Sequence, residues 1–176
     1  GPQASLEQKR SLYLNGKNIH LFTASIGGFN LTRQELRARL SRLRDLNMNA
    51  VRFHGRAFPD WYYQMCDEMG LLVVAESALY GSHVTQFNYQ DPLFWKNAHD
   101  HWQSLVRKLR HHPSIVLYSI ENECVEYSHG RAAELGFARL GRQVKNWDPS
   151  QPILYSGSAD PGGMADIESL HYPHEL

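Results

Sequence analysis

Only two cysteines, Cys66 and Cys124, occur in the 176 residues. Two do not make a disulfide framework, and both are read as reduced thiols. No apolar run reaches the roughly 18 residues a membrane-crossing helix requires, so no membrane partner is expected. An excess of charge is missing too: 18 Lys and Arg balance 18 Asp and Glu. Zero net charge removes the argument for nucleic acid or an anionic membrane surface as partner. No glycine-rich loop follows the first strand-like segment, which argues against a nucleotide site. Ten histidines are present, but pairs such as His99/His101, His111/His112 and His171/His174 lack the spacing to cysteine or carboxylate that marks a metal centre. Neither metal nor cofactor is therefore expected. No signal peptide is read, and because Gly1-Pro2 resembles a tag-cleavage scar the compartment stays open, a periplasmic or secreted origin included.

What is present is an alternation of strand-like and helix-like segments. Leu12–Leu14 and Ile19–Phe22 flank Asn15-Gly16, a hairpin turn dipeptide. Thr32 with Glu35 forms a capping box. Leu36, Leu40, Leu43 and Leu46 then recur at helical spacing between arginines, which reads as an amphipathic outer helix with a solvated basic face. Residues 49–54 form a second barrel strand carrying Arg52, and a charge inside an apolar strand is costly unless paired. Pro59 opens a helix whose apolar side is Trp61, Tyr62, Met65 and Met69, and Gly70 closes it. Leu71–Val74 is a third strand with Glu76 at its C-terminal end. Residues 79–93 form a long loop rich in aromatics, readable as a wall for stacking sugars or as packing over the barrel mouth. Asp91-Pro92 starts a helix with Phe94, Trp95, Ala98, Trp102, Leu105, Val106 and Leu109 as its buried stripe. Residues 132–144 are the next helix, 152–156 a fifth strand and 166–173 a sixth.

The stretch from His111 to Cys124 organises the rest. A helix stops at His112-Pro113. An uncharged run, Ile115–Leu117, then reads as a strand buried on both faces. It ends in Glu121, Asn122 and Glu123, and carboxylates at the C-terminal end of a parallel strand are where a (β/α)8 barrel places its chemistry. The segment HPSIVLYSIENE resembles the fourth-strand signature of glycoside hydrolase family 2 barrels, the β-galactosidase, β-glucuronidase and β-mannosidase group. Tyr118 stands where that pattern has Trp, and Glu121 where it has Gly. Further likenesses lie in SLYLNGKNIHLFTAS, in Asn49–His54, in WYYQMCDEMGLLVVAES and in Asp166–Pro173.

The resemblance implies an incomplete TIM-type (β/α)8 barrel of about six β/α units behind a short β-hairpin. Residues 1–10 are the tag scar and a disordered lead-in, and residues 11–176 are the partial barrel. It implies a retaining hydrolase of β-linked sugars. Glu123 is the general acid/base, and Asn122 contacts the sugar 2-hydroxyl. Arg52, His54, Glu76, Glu121, His171 and Tyr172 are further substrate-site positions. A complete barrel needs about 250 residues, and the family's nucleophilic Glu lies at the seventh strand. This chain alone is therefore expected to be inactive, and to self-associate or to need a complementary fragment supplying strands seven and eight. Glu121, two residues from Glu123, is expected to raise its pKa by like-charge repulsion. A non-catalytic, carbohydrate-binding remnant of the same barrel is the alternative, as is another strand-end carboxylate enzyme on this fold.

Overall fold

Five parallel strands lie side by side in chain order in the computed structural model, which describes residues 4–7, 11–27, 30–82, 87–128 and 130–171. Ahead of them stands a three-stranded antiparallel sheet, β1 (Ala4–Glu7), β2 (Ser11–Leu14) and β3 (Lys17–Ile19). The Asn15-Gly16 turn joins β2 to β3 with both residues at positive φ, the backbone that Asn-Gly adopts most readily. Residues 4–7, expected in an unstructured lead-in, instead pair with β2. The parallel strands are β4 (Thr23–Gly27), β5 (Ala50–His54), β6 (Leu72–Glu76), β7 (Ile115–Asn122) and β8 (Ile153–Ser156). Between them run α1 (Arg33–Asp45), α2 (Asp60–Met69), α3 (Pro92–Leu109), the short α4 (Cys124–Ser128) and α5 (Arg131–Trp147). Among the described residues no pairing joins β4 to β8, so the sheet is an open arc of a (β/α)8 barrel.

Local chemistry sets the boundaries. Thr32 and Glu35 make both reciprocal bonds of the capping box at the start of α1. The helix stops at Asp45, leaving Leu46 as its cap and 70% exposed rather than in the buried stripe. Asp91 caps α3 by accepting from the Leu93 N–H, with Pro92 in the first helical position. Gly70 ends α2 in the left-handed conformation.

The larger core lies between sheet and helices, with Trp102, Tyr62, Tyr63, Tyr118, Phe53 and Phe137 among its largest buried side chains. All eight residues of β7 are buried, as a strand covered on both faces requires. Tyr118, in the family's Trp position, uses its hydroxyl to donate to Asp148 Oδ2 at 2.9 Å. A smaller cluster, Val74, Val116 and Leu117 with Leu12, Leu14 and Leu154, covers the concave side, where a groove of about 1120 Å³ opens.

The sixth strand expected at 166–173 does not form among the described residues 166–171. Asp166 and Ile167 donate their N–H groups to Ile153 O beside β8, but no ladder continues from there. Asp166 is instead held by Lys145 Nζ and by the Ile153 N–H.

Candidate active site

The C-terminal ends of β5, β6 and β7 bring four of the expected residues into one network around Glu76. Its side chain is 0% exposed. Arg52 Nε donates to Glu76 Oε2 at 2.8 Å, and Arg52 Nη2 donates to the same oxygen. Ser119 Oγ donates to Oε2 at 2.8 Å, while the Gly55 N–H donates to Oε1 at 2.7 Å. His54 Nδ1 lies 2.8 Å from Oε1. Burial pushes the Glu76 carboxyl up, but the contacts with His54, Arg52, Gly55 and Ser119 outweigh it and hold it below its ordinary value. Arg52 then reaches across to Asn122, donating from Nη2 to Oδ1 at 2.8 Å. The charge inside β5 is therefore paired, as its cost demands.

Glu123 follows Asn122 at the turn out of β7. Its φ is +57°, a left-handed conformation that costs a non-glycine residue about 1–2 kcal/mol. The turn is held from both sides: the Glu123 N–H donates to Ser156 O at 2.7 Å, and its carbonyl accepts from the Tyr127 N–H at 3.0 Å. Gly81 lies against it, its N–H donating to Asn122 O at 2.7 Å. Glu123 is 6% exposed, and its Oε1 sits 3.5 Å from His171 Nδ1. Glu126, one turn further along α4, completes a group of three. Ligand atoms of Glu123, Glu126 and His171 lie within 4.8 Å of one another, a spacing a divalent cation can bridge. Tyr80 packs edge-on to His54 with ring centroids 5.7 Å apart.

Other expected positions lie elsewhere. Glu121 does not open on the substrate side. It is 1% exposed and accepts from the Cys124 N–H. Burial pushes its carboxyl up to about 8, against the lowering effect of the Cys124 and Val125 N–H groups. A carboxyl protonated at neutral pH supplies no like charge, so it does not act on Glu123 by repulsion. The cause is a register shift in β7 between Ser119 and Asn122. Ser119 and Asn122 both face the Arg52–Glu76 network, so the two residues between them are turned off that face. In the long loop, Phe87 and Tyr89 stack with Phe94, and Tyr89 also with Trp95 and Phe137, which makes them helix-layer packing, not a sugar platform. His83, Gln86 and Tyr172 lie outside the described residues. Three contributors went unread in the sequence. Ser119 stands two residues after Leu117 on the same strand face. Glu126 stands one helical turn after Glu123. Gly55 contributes only its N–H, which leaves no signal in residue type.

The model of the family described as glycosyl hydrolases family 2, TIM barrel domain, matches residues 4–174. A β-galactosidase of Leuconostoc mesenteroides is 28% identical over 163 residues, covering 92% of this chain and 15% of the relative. A β-galactosidase of Alteromonas mediterranea is 31% identical over 167 residues, covering 93% and 15%. The chain thus spans about 15% of the length of the curated relatives it matches. Among solved structures, a GH2 β-galacturonidase from Eisenbergiella tayi bound to galacturonate superposes with a TM-score of 0.78 at 23% identity. That match covers 88% of this chain and 28% of the other.

Proposed function

The chain belongs to glycosyl hydrolases family 2, TIM barrel domain, and on that premise we propose that it carries the general acid/base of a retaining hydrolase of β-linked sugars, with Glu123 in that role. The observation that carries the proposal is the turn after β7. A constrained left-handed backbone holds a mostly buried carboxyl at the strand ends, facing His171 and beside the Arg52–Glu76–Asn122 network. In the forward step Glu123 gives its proton to the departing glycosidic oxygen, and in the second it takes one from water. Asn122, fixed through Oδ1 by Arg52, turns its amide NH2 to the sugar 2-hydroxyl. Arg52 and His54 line the sugar side, with Glu76 holding both in place. His171, facing Glu123, contacts the sugar beside it.

Retention needs a second carboxylate about 5–5.5 Å from the first, on the opposite face of the sugar. Glu76 is fully buried and committed to four neighbouring residues. Glu121 is sealed away, and Glu126 stands on the same side as Glu123. None of these three meets that requirement, and on this reading a complementary part of the barrel supplies the nucleophile, without which the 176 residues are inactive. The strands that bring it also fill the groove lined by Leu12, Leu21, Val74, Leu117 and Leu154. Galactosides, glucuronides and mannosides are the substrate classes to test.

The test is Glu123→Gln in the chain assembled with its complementary part. Hydrolysis of aryl β-glycosides with poor leaving groups should fall by about 10²–10⁴-fold. Glycosylation by dinitrophenyl glycosides should be spared, and azide should restore turnover as a β-glycosyl azide. Equal loss of kcat/KM for every leaving group overturns the assignment. Turnover by the 176 residues alone overturns the external nucleophile. Binding of sugars without turnover in the complete assembly would instead mark a carbohydrate-binding remnant. Light scattering checks the groove: the chain alone should self-associate and should form a defined complex with its complement, and a stable monomer indifferent to the complement refutes this.

A further inference from the structure

The carboxyl of Glu121 has no part in the mechanism above, yet it is buried within two residues of the acid/base. Burying an ionisable group without partners is expensive. The register shift in β7 sends Glu121 off the network face and under the start of α4. There Oε2 accepts from the Cys124 N–H, and the Val125 N–H and the Cys124 thiol lie near enough to act on the carboxyl. These two N–H groups directly follow Glu123. On the other side of Glu123, the chain is pinned by Leu79 O to the Asn122 N–H and by Ser156 O to the Glu123 N–H. Glu123 is thus the one residue between two anchored segments, and its left-handed φ results from bringing them together.

We propose that Glu121 is the positioning residue for Glu123: its buried carboxyl anchors the start of α4 through the Cys124 N–H and so fixes the left-handed turn that aims the acid/base at the glycosidic oxygen. The inference rests on the reading of Glu123 given above. In the resembled family pattern glycine occupies this place. The titratable groups around Glu121 are Cys124 on α4, Tyr89 ahead of α3, Tyr155 on β8 and, more weakly, Glu76 on β6. Burial pushes both the Tyr89 hydroxyl and the Cys124 thiol up, so neither supplies a charge near neutral pH. A protonated carboxyl keeps an accepting oxygen for the Cys124 N–H.

The experiment compares Glu121→Gln and Glu121→Ala with Glu123→Gln in the assembled enzyme, correcting for the folded fraction by active-site titration. Glu121→Gln keeps the accepting oxygen and should retain kcat within about threefold. Glu121→Ala removes it, and displacement of a catalytic group by about 1 Å can cost roughly 10²-fold. Its kcat/KM should fall by about 10- to 100-fold for poor leaving groups and stay nearly unchanged for dinitrophenyl glycosides, whose first step needs no acid. A loss of kcat/KM by Glu121→Ala that is equal for all leaving groups, or absent after the correction, overturns the positioning role. If Glu123→Gln itself lacks the leaving-group dependence, the acid/base assignment has failed instead.

A second readout needs no activity. A folded-state pKa raised from 4.5 to about 8 makes the wild-type fold lose stability as pH rises across that window. The denaturation midpoint should therefore drift down from pH 5 to pH 8 in the wild type and stay flatter in Glu121→Gln. Identical drift in both refutes the buried, protonated placement.

Discussion

Replacing Glu76 by glutamine tests the electrostatic centre of the site. The carboxylate takes donors from Arg52, Gly55 and Ser119, with His54 Nδ1 also 2.8 Å away. Glutamine keeps one accepting oxygen but turns an NH2 toward either the Arg52 guanidinium or the Gly55 N–H, both of which only donate. Breaking a buried ion pair by removing one partner costs about 3–5 kcal/mol. The Arg52 side chain keeps 18% exposure, so water relieves part of its lost partner. The lower end, about 3 kcal/mol, is therefore expected, and in a chain of this length that lowers Tm by roughly 6–12 °C. Thermal and guanidinium unfolding at pH 7 measure it. The sign with pH is fixed by the lowered folded-state pKa of Glu76. Its contribution is fully present above the unfolded value of 4.5 and is lost as pH falls through the lower folded value. The gap between wild type and Glu76→Gln should close in acid. A difference under about 1 kcal/mol at pH 7, or one unchanged down to the acid limit of folding, would refute the network's role.

Gly81→Ala places a Cβ 2.6 Å from Cys124 Cα and 2.7 Å from both Cys124 N and Glu123 O. All three are backbone atoms, so overpacking should cost about 1–3 kcal/mol and depress turnover of poor leaving groups together with Tm. Tyr118→Phe deletes the 2.9 Å bond to Asp148 Oδ2 deep under β7 and should destabilise by about 1–3 kcal/mol in denaturant titration. Thr32→Ala removes the α1 cap and should cost about 1 kcal/mol, readable as a small fall in midpoint with no change in the assembled enzyme's kcat.

The strand ends were legible because chemistry interrupts apolar runs there. Arg52 inside β5, Glu76 closing β6 and Asn122 closing β7 stand out against Val, Ile and Leu, and they do meet. What could not be read was which way each acid turns. A strand buried on both faces has no apolar–polar alternation to show its register, and β7 is buried throughout. Two-residue spacing therefore suggested that Glu121 and Glu123 share a face, while the register shift and the left-handed turn separate them. Leu46 fitted the helical period but fell just past the end of α1, which hydrophobic spacing does not mark. The segment at 166–171 has strand-like residues but only two N–H groups beside β8, and a strand is defined by its partner rather than its composition.

Carboxyls near the site differ by environment more than by sequence position, and such divergence is how acid and base roles are divided. Glu76 is held below its ordinary value and cannot give a proton near neutral pH. Glu121, pushed up to about 8, does hold one at neutral pH and is the rival for the acid role. Access decides against it: Glu121 is 1% exposed and occupied by backbone N–H groups, whereas Glu123 turns toward His171 at the strand ends. The two assignments diverge in the pH–rate profile of the assembled enzyme. If Glu123 is the donor, the basic limb of kcat/KM persists in Glu121→Gln, because the only ionisation removed lies off the reaction path. A basic limb that disappears in that variant would make Glu121 the proton source, and the sealed placement beneath α4 would then be wrong.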